Sequence, residues 1–222
     1  MSQVHLDSKQ IKKGLVLLVL FVLIRAALTY ATRANGESQT MGQRILFLVG
    51  GFLILSVGLT YLGFTRWVGV DIRQWWGFDK KRLWRDLGWG VLGFIAGFVI
   101  NMAFALLAFQ IGLIPQESAT PQPSQSPWMD WALSVFFGFA IAAFQEETIF
   151  RGFLMEALQK RFSLVWSLVL QALVFSLAHV GYIPLERWAL YILTFIFGLL
   201  FGALRLKRSS LMSPWIAHGL IG

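Results

Sequence analysis

Apolar residues dominate this chain in long runs broken by short polar stretches, a pattern that predicts helices of membrane-crossing length. Lys12 and Lys13 precede a first run from Gly14 to Tyr30, interrupted only by Arg25. A cleaved leader with Leu15 to Ile24 as its apolar core is the competing reading, but no small-x-small site follows, so a retained helix is expected. Ile45 to Phe64 predicts a second span, with Gly50 and Gly51 as the expected place for close helix approach. In Val68 to Gly90, Trp75, Trp76, Trp84 and Trp89 alternate with Lys80, Lys81, Arg82 and Arg85, as in an amphipathic segment at headgroup level. Leu87 to Ile114 predicts the third span, and Pro115 to Trp128, with four prolines and three serines, a loop. Further apolar segments run from Trp128 to Leu158, Ser163 to His179, Trp188 to Leu206 and Leu211 to Gly222, the last only about half a crossing long. The expected fold class is all-α: a polytopic transmembrane helical bundle of six or seven spans plus an interfacial amphipathic segment.

Composition agrees. The mean hydropathy is +0.66, and 14% of residues are charged, against roughly a quarter in soluble domains. One transmembrane domain over 1–222 accounts for the chain, with N-terminal spans and the interfacial segment in 1–127 and a core bearing the chemistry in 128–222. The net charge of +8 comes from basic residues in short loops, where they act as topology signals, so no nucleic-acid partner is expected. Lys9, Lys12 and Lys13, the Arg66–Arg85 region, Lys160-Arg161 and Arg205/Lys207/Arg208 alternate with loops holding only Arg33, Arg44 and Arg187. This bias predicts a multi-pass integral membrane protein with a cytoplasmic N-terminus. The absence of cysteine removes disulfides, iron–sulfur clusters and thiolate zinc sites.

Of eleven acidic residues, nearly all lie in loops or at helix ends, but Glu146 and Glu147 sit inside an apolar segment. One carboxylate at the bilayer centre costs about 2.5–3.5 kcal/mol on insertion scales, so an adjacent pair demands a partner or a use. Glu147 and Arg151, four apart, stack as an ion pair on one helical face. Glu146 points about 100° away with no partner in its own helix, and is read as the free carboxylate and candidate general base. His179 and His218 also lie in apolar segments, unlike His5. If the fourth and fifth segments turn near Phe162, Glu146 and His179 both lie about 24–26 Å from the turn, level with each other. A carboxylate and two imidazoles at one depth can activate water and stabilise an oxyanion. Equally, Glu146, His179 and His218 can hold a divalent metal such as zinc with an open position. No His-Glu-x-x-His is present, and Ser134, Ser167 and Ser176 lack a base-and-orienter pattern.

At these positions the sequence resembles the CAAX-prenyl-protease and bacteriocin-processing family of intramembrane endopeptidases, whose bacterial members are often called Abi proteins. Glu146-Glu147-x-x-x-Arg151 followed by Gly152-Phe153 is similar to the first family motif, Phe175-x-x-x-His179 to the second, and His218 in Ser213-Pro214-Trp215-Ile216-Ala217-His218-Gly219 to the third. The resemblance covers about Trp131 to Gly222. It implies that Glu146 activates water, that His179 is its partner and His218 an oxyanion donor or further polar contact, and that Glu147, Arg151 and Phe175 support the site. It implies a membrane-associated or lipid-modified peptide as substrate, and leaves open a metal-dependent or a metal-free glutamate mechanism. Four residues after the last histidine the family carries asparagine or aspartate, where this chain has Gly222. That departure keeps alive a non-catalytic binding or immunity protein on the same scaffold. A proton-coupled transporter using Glu146, His179 and Arg151 is a third reading, but it lacks the inverted repeats and broken helices of that class.

Overall fold

The computed structural model describes residues 6–34, 41–113 and 127–221, so most of the Pro/Ser loop and Gly222 lie outside the described residues. The chain is all-helical in its regular structure. Helix α1 is Ser8–Ala34; α2 is Met41–Gly51, continuing in wide-turned π geometry through Phe52–Val68; α3 is the short Arg73–Trp76; α4 is Leu83–Gln110. Helix α5 begins at Pro127–Phe136, runs through π-wound Phe137–Ala143, Phe144–Glu146 and π-wound Glu147–Leu154, and ends with Met155–Gln159. Leu164–Leu177 is α6, Ala189–Arg208 is α7 and Met212–Ile221 is α8.

Five helices among the described residues are long and apolar enough to cross a membrane: α1, the α2 segment Ile45–Val68, α4, α5 and α7. The six or seven spans expected from the sequence are not reached at crossing length. Helix α6 has 14 residues and α8 has 10, about 21 and 15 Å of rise against a hydrocarbon core near 30 Å. Burial runs opposite to hydropathy. In α5, the most polar of the five, half of the most apolar stretch is buried, against 17% in α4, one of the three most apolar spans. Lipid solvates α4 as well as protein does, whereas polar α5 must be enclosed by other helices.

Hydrogen bonds between neighbouring ends define one basic rim. Lys13 Nζ donates to the Trp67 carbonyl at 2.6 Å, joining the start of α1 to the end of α2. Arg208 Nε donates to Asp86 Oδ1 at 2.7 Å, joining the end of α7 to the start of α4. After α7 the chain reverses at Ser209, whose φ is +52°, and Ser210 Oγ donates to the Trp76 carbonyl at 2.8 Å. The exposed indoles of Trp67, Trp84 and Trp166 ring this end, while those of Trp128, Trp131 and Trp188 ring the other. Two aromatic levels are what the two water–lipid boundaries select.

The expected amphipathic segment is not established by the fold, and two of its indoles are docked into the bundle. Trp75 is fully buried and its Nε1 donates to Glu156 Oε2 at 2.6 Å. Trp76 stacks on Phe144 with centroids 5.4 Å apart, and only Trp84 is left broadly exposed to the surroundings. Burying indole area against α5 outweighs leaving it at the headgroups once the N–H finds a carboxylate. Gly50 and Gly51 likewise do not mark a close approach, since nothing lies within 4 Å of where their Cβ atoms would stand. Tight approaches lie instead at Gly14 of α1, at Gly90, Gly93 and Gly97 of α4, at Gly198 and Gly202 of α7 and at Gly219 of α8. A Cβ on Gly90 would meet Ile216 Cβ of α8 at 2.6 Å and the Ser213 carbonyl at 3.2 Å.

Gly90 therefore sets how closely α8 seats on α4. Gly90→Ala is expected to cost about 1–3 kcal/mol of stability through overpacking, while Gly88→Ala, which meets nothing within 4 Å, stays within about 0.5 kcal/mol. Thermal unfolding of the two variants in detergent checks the pair.

Candidate functional site

The first motif begins at Glu146, the last residue of the short α-helical stretch of α5, and continues through π-wound Glu147–Leu154, a geometry often found where helices carry function. The expected ion pair is present: Arg151 Nη1 donates to Glu147 Oε1 at 3.1 Å, and both side chains are completely buried. The Arg151 guanidinium lies 4.0 Å from the Phe175 ring centroid and 5.3 Å from that of Phe201, so its flat faces are covered by aromatic rings. His218 of α8 joins the same carboxylate, Nδ1 lying 2.8 Å from Glu147 Oε1. A carboxylate accepts, so Nδ1 donates to Glu147, and Nε2 is turned towards Glu146. Its ring stacks on Phe201 at 4.8 Å and 16°, which fixes the imidazole plane.

Glu146 departs from the expectation of a free carboxylate. Arg25, from the middle of α1, donates through Nη1 to Glu146 Oε1. The same guanidinium sits over the rings of Phe21 and Tyr182, at 5.5 and 5.2 Å. Helical geometry excluded a partner within α5, but it says nothing about a neighbouring helix, and α1 supplies one. The other oxygen, Oε2, is buried with no hydrogen-bond partner among the described residues and lies 3.6 Å from His218 Nε2. That separation is too long for a direct hydrogen bond.

His179 stands just past the end of α6, where Nδ1 donates to the Phe175 carbonyl at 2.8 Å. Phase along α6 thus makes Phe175 a double support: its carbonyl orients His179, and its ring packs edge-on to His179 at 4.8 Å and near His218 at 6.2 Å. Glu146, His179 and His218 all line one cavity of about 780 Å³, together with Arg25 and Tyr182. Glu147, Arg151 and Phe175 stand behind this wall, in contact with the lining groups but outside the cavity lining.

A metal fits this arrangement poorly. No group of three or more His, Asp or Glu side chains among the described residues is disposed to hold an ion. Both nitrogens of His218 already face carboxylates, and Glu146 Oε1 is engaged by Arg25, so the considered Glu146–His179–His218 set has few donors left without a partner.

Sequence reasoning missed Arg25, Phe201 and Tyr182 as members of the site. Arg25 had a signal, being the sole charge within the first apolar run, and a charge at that depth needs a partner. Phe201 and Tyr182 had none, because aromatic residues are common throughout the chain.

No curated protein and no solved structure matches the chain at a significant level. The segment carrying Glu146, Glu147, Arg151, Phe175, His179 and His218 does find a relative: residues 127–222 match an Rce1-like CAAX-protease family domain, described as Type II CAAX prenyl endopeptidase Rce1-like.

Proposed function

We propose that the protein is an intramembrane endopeptidase that hydrolyses a peptide bond in a membrane-associated or lipid-modified substrate, using water activated by Glu146. One observation carries this reading: Glu146 Oε2 is buried, unpartnered and 3.6 Å from His218 Nε2 on the wall of a cavity. Two polar atoms at that spacing are close enough to share a single water at about 2.8 Å from each.

The step then balances without redox change. Glu146 takes one proton from the water as its oxygen bonds to the peptide carbonyl carbon, giving a tetrahedral oxyanion. Arg25 places a permanent positive charge beside that centre, and a preorganised charge in a water-poor site is strongly stabilising. The proton held by Glu146 passes to the amide nitrogen, the C–N bond breaks, and the carboxylic acid and amine so formed exchange the second water proton to leave a carboxylate and an ammonium. His218, held by Glu147, aligns the water; His179, held by Phe175, completes the polar wall. Glu147 and Arg151 neutralise each other and keep His218 in one orientation. The basic rim, with Lys9, Lys12 and Lys13, faces the cytoplasm in this reading.

Cleavage of a candidate peptide in detergent or liposomes is expected to fall about 10²–10⁴-fold in Glu146→Gln and substantially in His179→Ala. Unchanged cleavage by both variants overturns the reading; full biological function without Glu146 favours the non-catalytic alternative. Arg25→Gln is expected to lower kcat about 10²-fold, with Arg25→Lys intermediate because a point charge replaces a two-pronged donor. Equal rates for all three residues at position 25 remove Arg25 from the chemistry.

A further inference from the structure

The cavity has a direction. On α1 its lining begins at Arg25 and continues to Leu28 and Thr29, away from the basic rim. On α2 it includes Phe47, Leu48, Gly51 and Leu55 but nothing nearer the rim, and on α5 it runs from Glu146 back to Asp130. The reactive groups therefore form its inner end. Its far end lies at Asp130, between the exposed indoles of Trp128 and Trp131, at the level of the second water–lipid boundary.

Towards the basic rim the reactive groups are backed by packed rings; a separate rim-side hollow of about 510 Å³ reaches Phe144 and Trp215 but is not lined by Glu146, His179 or His218. Phe21, Phe64, Trp75, Phe150 and Phe153 are each fully buried in that backing. Their rings interlock, Phe64 lying 5.6 Å from Trp75 and 5.3 Å from Phe153, and Phe21 lying 6.2 Å from Phe150. A packed aromatic plug of this kind leaves no room for a peptide without unpacking the core.

We infer that substrate reaches Glu146 from the face opposite the basic rim, as an extended apolar peptide segment presented in the outer leaflet or from outside the cell. This rests on the peptidase reading for the word substrate, but not for the direction of access. Apolar walls from Leu28, Leu48, Leu133, Phe137 and Ile141 suit hydrophobic side chains, and Arg25 is the charged donor at the inner end. The positive-inside bias then makes the mouth extracytoplasmic. A cytoplasmic lipid-anchored protein would meet the plugged end instead.

The chain contains no cysteine, so single cysteines report access without background. Ser134→Cys at the cavity wall and Arg161→Cys at the rim are expressed separately, and intact cells are treated with a membrane-impermeant maleimide. Ser134→Cys is expected to label from outside, and Arg161→Cys only after permeabilisation. The inference is overturned if Ser134→Cys labels only after permeabilisation, or only after denaturation. Adding an impermeant apolar peptide outside the same cells separates the two claims. Outside labelling with cleavage that survives Glu146→Gln sinks the peptidase reading and leaves the access route standing. Cleavage by the unsubstituted protein only when the peptide is supplied on the rim side overturns the route and leaves the peptidase reading standing.

Discussion

Mutual neutralisation of buried charges is the constraint on which the rest of this structure depends. Glu146 and Glu147 lie side by side in a segment that lipid would not tolerate bare, and two guanidiniums from different directions offset them. Arg151 comes from the same helix, four residues on, whereas Arg25 has to be delivered by α1. Removing one member of such a pair leaves an uncompensated charge and costs on the order of 3–5 kcal/mol. The cluster is therefore a reason for α1, α5 and α8 to assemble in one arrangement, as well as a device for chemistry.

That constraint also explains the inverted layout of the bundle. Helix α5 is enclosed because it carries the polar residues, and α4 faces outwards because it carries almost none. With lipid as solvent, packing is decided by close backbone approach and polar satisfaction rather than by escape from water. The glycine contact of α4 with α8 and the Gln171 side chain, which donates to the Gly198 carbonyl at 2.8 Å, are two instances. Both crossings hold a histidine-bearing element in place, since α8 carries His218 and α6 leads into His179.

The two ends of the molecule differ for a related reason. At the basic rim, indole and phenyl rings pack into a continuous plug, and the Trp75 N–H is satisfied by Glu156. From the level of Glu146 onwards the helices separate around a cavity, whose polar wall is supplied by side chains that already have partners behind them. His218 is backed by Glu147, His179 by the Phe175 carbonyl and Glu146 by Arg25. Orientation is thus fixed from the second layer outward, leaving one carboxylate oxygen and one imidazole nitrogen facing each other across 3.6 Å.

Much of this was legible in the amino-acid order. Apolar runs identified the long helices, because a span must satisfy its backbone internally and its side chains must be soluble in lipid. The i,i+4 spacing identified the Glu147–Arg151 pair, because that contact is local and set by helix geometry alone. Motif order brought Glu146, His179 and His218 together on paper, and the fold places them around one cavity. Contacts between distant segments were another matter. Nothing in the sequence says which helix faces which, so Arg25 could not be matched to Glu146 across 121 positions, nor Trp75 to Glu156. The glycines at close approaches are likewise those the packing selects, among them Gly90 and Gly198, rather than Gly50 and Gly51. Local periodicity determined the elements and the candidate chemistry; only the three-dimensional arrangement decided the partners, the plug and the open end.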